Sequence, residues 1–103
     1  MPERLKGHLD ALLLATVAEE PAHGYAVIER LRVRSDGAFD LKEGTAYPAL
    51  HRLERAGLLA SSWTVVDGRK RRTYRMTAAG TRALVRSKAE GQTFSRAVEV
   101  VLA

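Results

Sequence analysis

At 103 residues the chain is a single domain's worth, and folding at this size removes roughly two-thirds of the unfolded surface, enough for a modest core. With 46% hydrophobic and 28% charged residues it has the composition of a water-soluble globular protein; the absence of cysteine excludes disulfides and thiolate metal sites, and no apolar run approaches the roughly 20 residues that cross a bilayer. A net charge of +5 and a sequence pI of about 10.1 point to a polyanionic partner, most often nucleic acid and less often a membrane surface.

The start, Met1-Pro2-Glu3-Arg4-Leu5-Lys6, lacks the long apolar core of a signal peptide, and His8, His23 and His51 form no closely spaced pair. A cytosolic chain without structural metal or cofactor is expected. From Leu5 to Ala18 the residues Leu5, Leu9, Leu12, Leu13, Thr16 and Val17 recur at spacings of three and four, which predicts a first helix buried along one side. Glu19 to Gly24 breaks it at Pro21 and Gly24. Tyr25 to Arg34 then resumes the helical period with Tyr25, Ile28 and Leu31 inward, a second helix. Ser35-Asp36-Gly37 reads as a turn, and Phe39 with Leu41 as a very short strand.

The stretch Glu43 to Gly57 is the most informative. On a helical wheel Ala46, Leu50, Leu53 and Gly57 share one face, whereas Gly44, Pro48, His51, Arg52 and Arg55 share the opposite one. Tyr47 sits at the border, where its ring can pack and its hydroxyl can reach a phosphate. Pro48 lacks an N–H and would crowd the carbonyl of Gly44, so the regular helix is expected to begin near Tyr47 or to have a distorted first turn. Gly57 is a C-terminal stop.

Leu59 to Val66 is rich in strand formers, Asp67-Gly68 is a turn signal, and Thr73 to Thr77 reads as a returning strand. The expected hairpin has its tip from Asp67 to Arg72. Almost all the excess charge lies there, a net +4 between Asp67 and Arg75. Trp63 is expected to pack within its strand. Thr77 is the expected cap of a last helix that carries Ala83, Leu84 and, after an interruption at Gly91, Phe94, Ala97, Val98, Val101 and Leu102. That apolar surface needs a cover, either the first helix or a second copy of the chain.

Three helices followed by a basic hairpin is the order of a winged helix-turn-helix, mainly α with a small β-hairpin and a C-terminal dimerisation helix. The third helix would enter the major groove of DNA and the wing would reach neighbouring phosphates or the minor groove. Thr45, His51, Arg52 and Arg55 suit base edges or phosphates, and Arg69, Lys70, Arg71 and Arg72 suit phosphates. His23 and Tyr25 are candidates for a phosphate at the start of the second helix, or for plain packing and solvent exposure. A solvated charged helix face and a hairpin charged against aggregation remain open, which would fit a protein-interaction module; an RNA-binding winged helix is the other alternative. No paired carboxylates, nucleophile with base, or phosphate-cradling glycine loop stands at workable spacing, so an enzyme is not expected.

His23-Gly24-Tyr25, the run from Glu43 to Glu54, Ala56-Gly57-Leu58-Leu59 and the run from Gly68 to Gly80 resemble, in this order, the PadR family of bacterial transcription regulators. The resemblance implies a winged-helix repressor acting as a homodimer, with residues 1–77 as the DNA-binding unit and 78–103 as the dimerisation helix packed on the first helix of the partner. It places Thr45, Tyr47, Pro48, His51, Arg52 and Arg69 to Arg72 at the surface of double-stranded DNA with an inverted-repeat operator. Dimer contacts fall to Leu5, Leu9, Leu12, Leu84, Phe94, Val98, Val101 and Leu102. Members of that family respond to phenolic acids, drugs or other small molecules, or to nothing known, so the resemblance leaves open whether a small aromatic or apolar effector acts on this chain. Where such proteins often carry an acidic residue followed by Trp, this chain has Glu90-Gly91-Gln92, which removes that ring and places a glycine inside the dimer helix.

Overall fold

The computed structural model describes the backbone of residues 3–103 and the side chains from residue 8 onward; the expected dimer contact Leu5 lies outside the described side chains. Helix α1 (Glu3–Glu19) is the hub of the core. Its Leu9, Leu13, Leu14 and Val17 are buried, and so is Thr16, whose hydroxyl is satisfied by donating to the Leu12 carbonyl at 2.7 Å. Leu12, expected inward, is only half-buried. α1 packs against every other helix and against the sheet.

After Pro21 a two-residue strand, β1 (Ala22–His23), leads into α2 (Gly24–Arg34). The inward face of α2 is Gly24, Val27, Ile28 and Leu31, spaced three, four and seven residues from the start. Tyr25, expected inward, is exposed instead, because Gly24 takes the inward place at the first turn. Arg30 fastens α2 to the end of α1: its guanidinium donates to the carbonyls of Thr16 and Glu20 and pairs with the Glu20 carboxylate at 3.1 Å. The Phe39–Leu41 segment is not a strand. Ser35 Oγ accepts from the Phe39 N–H and holds the chain close to the end of α2, while β1 takes the sheet edge.

Helix α3 (Glu43–Arg55) starts four residues before Tyr47 and carries Pro48 in its interior, so the expectation of a helix beginning near Tyr47 is corrected. The N–H groups of Thr45 and Ala46 both donate to the Lys42 carbonyl, which closes the first turn ahead of the proline. Pro48 lies on the exposed side, where the carbonyl it leaves free can be hydrated. At the other end Gly57, at φ +78°, donates to Glu54 and Leu58 donates to Leu53, the paired bonds that let a left-handed residue terminate a helix.

Strands β2 (Leu59–Val66) and β3 (Arg69–Met76) form the wing, and β1 pairs with the other edge of β3, giving the antiparallel order β1-β3-β2. The turn residues Asp67 and Gly68 both have positive φ, as a two-residue hairpin turn requires. The strand begins at Arg69, so Arg69 to Arg72 belong to a paired ladder and not to a loose tip. Tyr74 and Leu59 bury themselves in the core from one sheet face.

Thr77 joins two elements: its hydroxyl donates to the Gly57 carbonyl at 2.6 Å and accepts from the Gly80 N–H, capping α4 (Ala78–Leu102). α4 runs without interruption through Gly91, which corrects the expected break; 24 helical neighbours outweigh the roughly 1 kcal/mol that one glycine costs. Leu84 joins the core beside Leu9 and Leu13, whereas Val98, Val101 and Leu102 are exposed. Among the described residues no helix is long and apolar enough to cross a membrane.

Candidate nucleic-acid interface

Three elements meet at one cleft of about 230 Å³. α2 contributes its first residue, Gly24, with His23 just before it; α3 contributes Tyr47 and His51; β3 contributes Lys70, Arg71, Arg72 and Tyr74. The convergence has a local cause. A Cβ on Gly24 would lie 2.2 Å from Cε1 of Tyr47, so only a glycine lets the ring lie against the start of α2. The Tyr47 ring then forms the wall between the helices while Ala46, Ala49, Leu50 and Leu53 anchor the buried face of α3.

Strand alternation divides the cations of the wing. Lys70 and Arg72 share the face of Tyr74, and Arg69 and Arg71 share the opposite face with Thr73. The four are therefore not one continuous tip patch. Arg72 is held: it reaches Glu54 at 3.5 Å and lies 5.5 Å from the centre of the Trp63 ring. Glu54 also accepts from the Ser61 hydroxyl, and that bond, with Arg72 nearby, keeps its carboxyl below the ordinary range and ionised. Arg71 is different. Its Nε is buried and has no hydrogen-bond partner among the described residues.

His23 is half-buried beside Arg71. Burial first, then the positive charge of Arg71, lowers its pKa from 6.5, with Asp67 opposing and Arg30 reinforcing. The cleft thus favours a neutral imidazole among cations. Thr45 is half-buried, and Pro48, His51 and Arg55 are exposed on α3. Arg52 is placed otherwise than expected. Its guanidinium makes a two-pronged pair with Asp10 of α1, both bonds at 2.8 Å, and so is committed to the body of the protein. Tyr25 is exposed at the start of α2, outside the lining of the cleft.

Three participants are not evident from the sequence alone. Asp10 lies 42 positions from Arg52 and carries no local signal. The role of Gly24 was latent in its place between His23 and Tyr25. Trp63, expected to be packed, is exposed at 66%. Among the described residues no group of three His, Cys, Asp or Glu is placed to hold a metal ion.

A family model for the transcriptional regulator PadR-like family matches residues 13–86. A transcriptional regulator of Mycobacterium tuberculosis is 41% identical over 86 residues, spanning 84% of this chain and 78% of that protein. A PadR family transcriptional regulator from Eggerthella lenta, 34% identical, superposes with a TM-score of 0.80 over 96% of this chain and 86% of its own. A transcriptional regulator from Clostridium thermocellum, at 24% identity, shares the fold with a TM-score of 0.88 over 99% of this chain and all of its own. These proteins and their family are regulators of transcription, not enzymes. With the helices, wing and C-terminal helix in the same order, the chain belongs to the PadR-like family of transcriptional regulators.

Proposed function

We propose that the chain is a sequence-specific, double-stranded-DNA-binding repressor, acting as a homodimer on its own or a nearby promoter in the cytoplasm. α3 enters the major groove and presents Thr45, Tyr47, Pro48, His51 and Arg55, while Arg69 to Arg72 of the wing neutralise flanking phosphates. Arg52, paired with Asp10, supports the pose of α3 from behind rather than reading a base.

The observation that carries this reading is the cleft that His23 and Gly24, Tyr47 and His51, and Lys70, Arg71 and Arg72 of the wing line together. A phosphate is the ligand whose charge matches three cations beside two imidazoles, and guanidinium and ammonium groups bind it by charge-assisted hydrogen bonds. Residues 78–103 are the proposed dimerisation helix, covering Phe94, Val98, Val101 and Leu102 against the partner's first helix; Leu9 and Leu84 serve the chain's own core instead. A small aromatic or apolar effector is the proposed release signal. A cavity of about 320 Å³ between α1 and α4, lined by Ala11, Leu12, Phe39 and Leu84 with His8 and Lys88 at its rim, supports that part.

The test is hydroxyl-radical footprinting on the duplex immediately upstream of the gene. Two protected half-sites about one helical turn, roughly 34 Å, apart are expected. Uniform cleavage across the duplex at saturating protein would overturn the reading.

A further inference from the structure

Trp63 is the only tryptophan in the chain, and it stands 66% exposed in the middle of β2, with Val65 beside it at 71%. The register sets Trp63 opposite Arg72 and Val65 opposite Lys70, and directly paired residues share a sheet face. One face of the wing therefore carries an indole, an isopropyl group and two cations. It is the face turned toward the recognition helix, because Arg72 reaches Glu54 of α3 and, with Lys70, lines the cleft beside Tyr47 and His51.

Resting on the DNA-binding reading above, we propose that this face is a second, apolar DNA contact: Trp63 and Val65 pack on deoxyribose at the lip of the minor groove next to the segment that α3 reads, with Lys70 on the adjoining phosphate. The charge of the wing selects the occupant: Lys70 and Arg72 lie on this face, Arg69, Arg71 and Arg75 lie on its reverse, and the single acid, Asp67, sits in the turn. Distance fixes which residue does what. Trp63 lies three residues back from the closing pair of Val66 and Arg69, about 10 Å at about 3.4 Å per residue, which exceeds the groove depth of about 7.5 Å. The ring then meets the sugar wall while Val65 enters deeper. Arg72, anchored by Glu54 and set against the ring, restricts the indole before DNA arrives, so little side-chain freedom is lost on binding.

The sole tryptophan makes the test direct. The full-length protein is titrated with the upstream duplex while anisotropy of the labelled DNA and indole emission with acrylamide quenching are read together. Emission should change and acrylamide access should fall at the same protein-to-DNA ratio at which anisotropy rises. Trp63→Ala should weaken matched and scrambled duplexes alike, roughly fivefold or more, and Trp63→Phe should recover most of that loss. Anisotropy that rises while the indole stays as accessible as in the free protein would overturn the proposal and leave DNA binding standing. Anisotropy that never rises would remove both.

Discussion

Gly24 shows how one residue without a side chain can set the chemistry of a surface. Its missing Cβ is where the Tyr47 ring lies, so Gly24→Ala should displace that ring or the start of α2. The expected outcome is a loss of about 1–3 kcal/mol in stability by denaturant unfolding, together with weaker duplex binding. Unchanged stability would mean that the contact is looser than described. His23 supplies a second prediction. Because the folded chain holds its imidazole below 6.5, the unfolded chain takes up more protons as the pH drops past that value, so this residue lowers stability toward acid and contributes nothing adverse above it. A phosphate seated beside it acts in the opposite direction and favours the imidazolium. DNA affinity should therefore rise from about pH 8 to about pH 6, with proton uptake measurable by calorimetry in buffers of different ionisation enthalpy, and His23→Gln should flatten the dependence. His23 was legible in the sequence as a phosphate candidate, but the roles of Gly24 and Arg52 were not. The glycine was visible, but its partner lies 23 positions on; Arg52 read as a free surface cation because Asp10, 42 positions away, could not be seen to meet it.

The elements divide into those that local signals announce and those that only pairing defines. The helical spacing of α1, the Thr77 cap, the Asp67-Gly68 turn and the Gly57 stop were legible because each is decided within a few residues. β1 was not, since two residues become a strand only by pairing with Thr73 and Tyr74 about fifty positions later. The split of the wing cations between two faces follows from the register, which the charge run alone does not reveal. Pro48 misled because the rule against proline counts the lost bond but not the exposed side on which the loss is cheap. The junction between the recognition helix and α4 is the most tightly built of these connections. Thr77 bonds the Gly57 carbonyl, and a Cβ on Gly80 would lie 2.0 Å from the Leu58 carbonyl oxygen. Thr77→Ala should cost about 1 kcal/mol. Gly80→Ala should cost more, since the backbone must move, and thermal unfolding of the two variants ranks them.

At the scale of the molecule the shape is unequal, 53 × 28 × 24 Å, because α4, about 37 Å long at 1.5 Å per residue, runs past the core that its first turns help to build. Phe94, Val98, Val101 and Leu102 fall on one stripe of the projecting part. In the proposed dimer a second copy covers that stripe and the two recognition helices share one duplex. Val98→Asp with Val101→Asp should convert a dimer to a monomer in sedimentation velocity and reduce operator affinity by about a hundredfold or more through lost bivalency, while the circular dichroism of the winged-helix core is retained. Whether the cleft between α2, α3 and β3 holds DNA is decided by the salt dependence of duplex affinity for the wild type beside Arg71→Ala and Lys70→Ala. The expected result is tight binding at 50 mM salt, a fall of roughly 10³-fold or more by 200 mM, and a slope reduced by about one phosphate contact in each variant. A wild-type affinity indifferent to salt, or slopes unchanged in both variants, would contradict it.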